Sequence, residues 1–123
     1  MLLLEGGRVV CPASGRDEVA DVLVAGGRIV AVAKGLGAKH NGPRLDCAGA
    51  VVAPAFVDLS ANLCDPGDAA RETLERGSRA AAAGGFASVV ASPDTDPVVD
   101  NAVVATDLSF RGAATGGARI WCA

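Results

Sequence analysis

The sequence predicts an α/β protein, on three observations. Up to residue 54 the chain repeats a strand-forming phrase, "LEGGRVV" at residues 4–10 and "VAGGRIV" at 24–30. From residue 56 the pattern becomes strand, loop, helix, strand, loop, helix, strand. Alanine, valine and glycine dominate a half-apolar composition in which aromatics are only 3%, which suits helices packed closely on buried strands. The boundary so drawn divides the chain into residues 1–54 and 55–123.

Each element has a local reason. In both glycine phrases a Gly-Gly pair can supply the positive backbone angles of a tight turn, and β-branched residues follow, so both read as hairpins. The second places Val22, Val24, Ile29 and Ala31 on one side of a small sheet. "KGLGAKHNGPRLDCAG" then reads as a loop, with a strand return around "AVVAP". A strand over about 55–60 follows. Asp68 is placed to cap a helix over about 69–83, which Gly84 and Gly85 stop. The run "RAAAAGG" lets that helix approach a sheet, and "FASVVAS" reads as a buried parallel strand over 86–91. The proline-rich loop 92–100, a helix over about 101–113 and a strand over 118–122 complete the series.

This alternation argues for about two and a half parallel βα units with right-handed crossovers. A (β/α)₈ barrel needs about 250 residues, and a three-strand sheet left open would expose a long unpaired edge. The expectation is therefore a segment of a larger barrel.

Composition excludes several functions. The net charge is −3 and the basic residues are scattered, so nucleic acid finds no basic stripe. No apolar run approaches the roughly 20 residues that span a bilayer, and "MLLL" meets Glu5 before it forms a signal-peptide core. A cytoplasmic address follows. Cys11, Cys47, Cys64 and Cys122 have no CxxC spacing and read as reduced, small apolar residues. The single histidine, His40, reads as a solvent residue in a surface loop.

The segment "FVDLSANLCDPG", residues 56–67, carries the chemical question. Asp58, Ser60, Asn62 and Cys64 fall at spacing two, which directs them to one face near a strand end. Ser60, Asn62 and Cys64 read as small polar fillers at that position; a repurposed site in which Cys64, beside Asp58 and Asp65, binds a soft metal or serves as a nucleophile is the sharper alternative. Asp94 and Asp96, beside prolines, read as turn residues.

"VVAPAFVDL" through "ETLERGSRAAAAGGFASVVASPDTDPVVDNAVV" resembles the N-terminal third of dihydroorotases of the amidohydrolase superfamily and, more loosely, allantoinases. The resemblance implies a small β-sandwich element over 1–54 and the start of a metal-dependent hydrolase (β/α)₈ TIM barrel over 55–123. That family's first barrel strand ends in Asp-x-His-x-His-x-Arg, then an acid, proline and glycine. Asp58, Asp65, Pro66 and Gly67 match this frame. Ser60 and Asn62 occupy the places of the two metal-binding histidines, and Cys64 that of the arginine that holds the substrate carboxylate. In the family's Pro-Asn-Thr loop, Pro93 and Thr95 remain, but Asp94 replaces the asparagine that contacts substrate.

Those departures imply lost chemistry. A serine hydroxyl stays protonated and an asparagine oxygen is a weak donor, so the zinc the family uses is expected to be absent. Without it no hydroxide forms at neutral pH. A thiol cannot supply the charge-assisted bonds, worth about 1.5–3 kcal/mol, of an arginine on a carboxylate. The expectation is a non-catalytic, oligomeric homologue without cofactor, serving as a structural or regulatory partner in pyrimidine biosynthesis, for example of aspartate carbamoyltransferase. Cys64 and Asp94 are then positional equivalents only. The alternative is a truncated fragment of a working cyclic-amide hydrolase of the dihydroorotase or allantoinase type, using metal ligands on later strands: the family's modified lysine, two further histidines and catalytic aspartate.

Overall fold

In the computed structural model, which describes Met1–Ala123, the chain divides into two units, Met1–Pro54 and Ala55–Ala123. In the first, β1 (Leu2–Cys11), β2 (Arg16–Ala25), β3 (Arg28–Ala33) and β4 (Arg44–Asp46) lie in the order β3-β2-β1-β4, and β5 (Val51–Val52) also pairs with β1. β1–β2 and β2–β3 are antiparallel, whereas β4 and β5 run parallel to β1. All five strands belong to one sheet. Residues 1–54 thus supply one β layer.

The two glycine phrases turn out differently. Gly26 and Gly27 have φ of 56° and 72° and make the tight β2–β3 hairpin that such angles favour. Gly6 and Gly7 do not turn. They lie within β1 at a bulge between Leu4 and Gly7, where Gly6 has φ of 73°. The Asp21 carboxylate accepts from Gly6 N and from Leu36 N, both at 2.9 Å, which fixes the bulge. A Cβ on Gly7 would lie 2.7 Å from Val52 Cγ2, so this glycine is needed for the close crossing of the β5 segment.

The apolar face of β2–β3 also shifts. An irregularity between Leu23 and Val24 changes the alternation, and Val32 rather than Ile29 packs with Val9, Ala20 and Val22. Ile29 is 67% exposed. The stretch assigned to loop contains a 3-10 turn, Leu36–Lys39, as well as β4. His40 is buried, not solvated. Its Nε2 donates to Pro43 O at 3.0 Å, and Gly42 leaves room for the ring, since a Cβ there would sit 3.0 Å from two ring atoms.

The second unit is a parallel βαβαβ run. β6 (Phe56–Ala61), β7 (Phe86–Ala91) and β8 (Arg119–Cys122) form a sheet in that order, with β7 central, and both pairings are parallel. α1 (Leu74–Ala83) begins later than the sequence suggests. Asp68 is spent on a turn, its carbonyl accepting from Arg71 N and Glu72 N, and Thr73 is the cap, its Oγ1 accepting from Arg76 N at 3.2 Å. α2 (Ala102–Ala113) starts where expected, because Asn101 Oδ1 accepts from Val103 N and Val104 N.

Leu63, Leu74, Val89, Ala91, Leu108, Ala118 and Ile120 form the core of this unit. The close approach of α1 comes from Gly77 and Ser78 with Ala81 partly packed, while Ala80, Ala82 and Ala83 stay exposed. A Cβ on Gly77 would meet Leu63 Cδ2 at 2.5 Å. No helix in the chain is long and apolar enough to cross a membrane. The four cysteines are free thiols, with Cys47 buried.

Candidate functional site

The segment that leaves β6 does not keep strand alternation to Cys64. Register shifts between Asp58 and Ala61, and Leu63, two places beyond the strand, turns into the core. Asp58 Oδ1 accepts from Ser60 N at 2.9 Å, and Asn62 Oδ1 accepts from Cys64 N at 3.3 Å. Each is an Asx-type closure of the chain on itself. Cys64 has φ of 55°, the one non-glycine residue with a positive value, and its thiol donates to Asn62 Oδ1 at 3.4 Å.

The four residues predicted to share a face therefore separate into two pairs. Asn62 and Cys64 line a pocket of about 290 Å³ together with Asp94, whereas Asp58 and Ser60 are not on its wall. The rest of that wall includes Asp68, Arg71 and Asp96. Two loops make it, residues 62–71 and 92–97, and they are pinned together by Asp96 N donating to Pro66 O at 3.2 Å. Gly67 has φ of 123°, and a Cβ on it would sit 2.9 Å from Asp96 O. That close approach explains the glycine after Pro66. Ser92 Oγ accepts from Asp94 N at 3.3 Å, and Thr95 Oγ1 donates to Pro97 O at 2.8 Å, so Asp94 is presented by a turn as its sequence context suggests.

Electrostatically the pocket is acidic: three aspartates face one arginine, Arg71. That balance repels a small anion and leaves the guanidinium the only cation on the wall. The donor set was compared with the zinc that the resemblance implies. Zinc favours thiolate, imidazole and carboxylate in a tetrahedral group, and nowhere in the chain do three His, Cys, Asp or Glu side chains converge to offer one. At the two positions in question a hydroxyl and an amide stand in for imidazoles, and the amide oxygen is already engaged by Cys64. These residues do not fit the metal.

Two residues of consequence escaped the sequence reading. Arg71 is one. Arg111 is the other: its Nη2 donates to Asp65 Oδ1 at 2.7 Å and its Nε to Asp107 Oδ2 at 2.9 Å. The Asp65 hydrogen bond is the main cause of an Arg111 pKa raised above its ordinary value. Asp65 Oδ2 accepts from Leu74 N, at the start of α1, so one carboxylate ties the site loop to both helices. The i,i+4 spacing of Asp107 and Arg111 was visible in sequence; the link to Asp65, 46 residues away, was not. With side chains 39% and 13% exposed, the pair is partly screened. Arg111→Met is expected to lower stability by about 1 kcal/mol, read as a shift in urea midpoint; an unchanged midpoint would mean that the loop is held by other contacts.

Three comparisons bear on the whole. Residues 49–119 match the family model described as dihydro-orotase-like. A dihydroorotase of Geobacter sulfurreducens is 44% identical over 115 residues, covering 94% of this chain and 27% of that protein. A dihydroorotase of Solibacter usitatus is 47% identical over 103 residues, covering 84% and 24%. The chain thus spans about a quarter of the curated relatives it matches. Among solved structures, the L-hydantoinase (dihydropyrimidinase) of Arthrobacter aurescens superposes with a TM-score of 0.75 at 23% identity, over 89% of this chain and 24% of that one. The D-hydantoinase (dihydropyrimidinase) of a Thermus species gives 0.61 at 30% identity, over 74% and 20%.

Proposed function

This chain belongs to the dihydroorotase-like family, and from that premise we propose that it acts by binding rather than by catalysis, as a structural or regulatory partner in pyrimidine biosynthesis. Aspartate carbamoyltransferase, whose product feeds the dihydroorotase step, is the partner in view. On this reading the βαβαβ run is the beginning of a (β/α)₈ barrel, residues 1–54 are one layer of a β-sandwich domain, and the assembly is oligomeric and cytoplasmic.

One observation carries the proposal. Every position at which the family's pattern places metal- or substrate-binding chemistry within this segment is occupied by a residue unsuited to it, while the residues that shape the fold are kept. Ser60 and Asn62 replace imidazoles, Cys64 replaces a guanidinium, and Asp94 places a carboxylate on the wall that Cys64 and Asn62 share. Asp65, Pro66 and Gly67, by contrast, match the family's frame, and Gly67 and Asp65 support the loop and helix positions. Packing residues suffice for a scaffold. A second reading is favoured by the span of the match: if the three quarters of the relatives' length not covered here carry a working set of ligands, the parent is a cyclic-amide hydrolase built on later strands.

Activity and association separate the two readings. Dihydroorotate hydrolysis is expected to be absent from the protein and from the Ser60→His, Asn62→His, Cys64→Arg, Asp94→Asn combination. Co-elution with aspartate carbamoyltransferase of the same organism on gel filtration is expected for both forms, since Asn62, Cys64 and Asp94 lie at the pocket and Ser60 on β6, none of them on a helix. Hydrolysis by the unmodified protein, freed of host enzyme, would overturn the proposal in favour of the hydrolase, and loss of co-elution would remove the named partner.

A further inference from the structure

We infer that the end of β6 excludes zinc because Asn62, in the place of a ligand histidine, has become a turn former that positions the backbone such a histidine would leave unsupported, while Ser60 offers only a hydroxyl. The inference deepens the non-catalytic reading at the same site and rests on it for the comparison with the family's histidines.

The Cys64 backbone is left-handed, a conformation that costs an L-residue roughly 1–2 kcal/mol unless local bonds support it. Leu63 must enter the core on one side and Pro66 must meet Asp96 N on the other, so the chain reverses sharply between them. Asn62 Oδ1 supports the reversal from two directions, through Cys64 N at 3.3 Å and the thiol at 3.4 Å. Asp58 repeats the device four residues upstream, on Ser60 N at 2.9 Å.

Binding a metal would require undoing this. An oxygen engaged by an N–H and a thiol has little left to offer a cation, and an amide oxygen is a poor zinc donor in any case. Cys64 could ligate only as thiolate, which would lose its donation to Asn62. The sole imidazole of the chain, His40, lies in the first unit and is bonded to Pro43 O. What remains at the end of β6 is a hydroxyl and a carboxylate bonded to its own strand, and the aspartates of the pocket wall bring no three metal-binding side chains together, so the three protein ligands that zinc sites supply are missing.

Metal content and stability test the two halves together. After equilibration with zinc and dialysis, the protein is expected to retain well under one equivalent, and with cobalt(II) to show no thiolate charge-transfer band. Asn62→Ala is expected to lower the folding equilibrium constant about fivefold, the scale of one hydrogen bond, while Asn62→Asp, which keeps the acceptor oxygen, stays within about twofold of the parent. One equivalent of zinc retained by the parent and released by Cys64→Ser would overturn the exclusion. Equal stability of the Ala, Asp and parent forms would overturn the turn-forming role. Neither readout measures hydrolysis or partner binding, so a failure here is distinguishable from failure of the proposed function.

Discussion

Replacing Gly117 with valine is expected to abolish the cooperative unfolding transition of residues 55–123. A Cβ at that position would lie 2.5 Å from Ser78 O, 2.5 Å from Ser78 Oγ and 2.6 Å from Ser78 C. Two of those atoms are backbone in the first half of α1 and cannot swing aside as the end of a side chain can. Ser78 is 0% exposed and stands at the centre of a small polar knot. Its Oγ donates to Ala118 O at 2.9 Å and accepts from Thr115 Oγ1 at 2.7 Å, and its carbonyl accepts from Ala118 N at 3.0 Å. Forcing α1 off β8 breaks this knot in addition to the overpacking. At about 1–3 kcal/mol for the strain and about 1 kcal/mol for each bond lost, the total approaches the whole stability of a small domain. Trp121, the only tryptophan, lies on β8, so its fluorescence against urea reports this unit. Gly116, with φ of 74° and open space around it, supplies the control: Gly116→Asn should unfold nearly as the parent does. A Gly117→Val protein with the parental transition would show that helix and strand are not in this contact.

The β-to-α change at residue 56 was legible because it rests on local chemistry. Asn101 announces α2 and Gly84–Gly85 end α1 by bonds and angles that span a few residues. The misreadings involve side-chain and backbone partners that the letters do not pair, most of them distant in sequence. Gly6–Gly7 and Gly26–Gly27 look alike, and what makes the first a bulge is the carboxylate of Asp21 and the passage of Val52. His40 is buried because Arg44 and Pro43 fold back over it, with Arg44 Nη2 donating to His40 O. Thr73 displaces Asp68 as helix cap because the loop before it is drawn by Asp65 towards Arg111.

The same distinction runs through the site. That Asn62, Cys64 and Asp94 come together was readable, since the resemblance places all three at substrate- or metal-binding positions, and the pocket has them on one wall. That Asp58 and Ser60 would leave the group was not, because the shift between Asp58 and Ala61 arises from pairing with β7. Nor did spacing reveal that the new residues bond to one another. A replaced ligand and a turn-forming asparagine are identical as letters; the hydrogen bond to Cys64 N tells them apart.

The other large effect is expected at Leu108, and its value lies in the contrast with a neighbour two residues on. Leu108 is 0% exposed and packs among Leu74, Val89 and Ile120, whereas Phe110 on the same helix is 78% exposed. Gly112 allows the approach, since a Cβ there would stand 2.9 Å from Ile120 Cβ. Truncation of Leu108 to alanine removes its burial and leaves a cavity in a core of few large side chains, at a cost of about 2–5 kcal/mol. Phe110→Ser, although a larger chemical change, should move stability by no more than about 0.5 kcal/mol. Urea unfolding followed at Trp121 measures both. The consequence reaches the pocket, because Arg111 follows Leu108 by three residues and holds Asp65. A helix loosened at Leu108 should therefore give the site loop a second, indirect weakness, seen as faster proteolysis within residues 62–71 under conditions where the Phe110→Ser protein remains intact. Equal midpoints for the two variants would place Leu108 outside the core, and the anchoring of the loop by α2 would lose its basis.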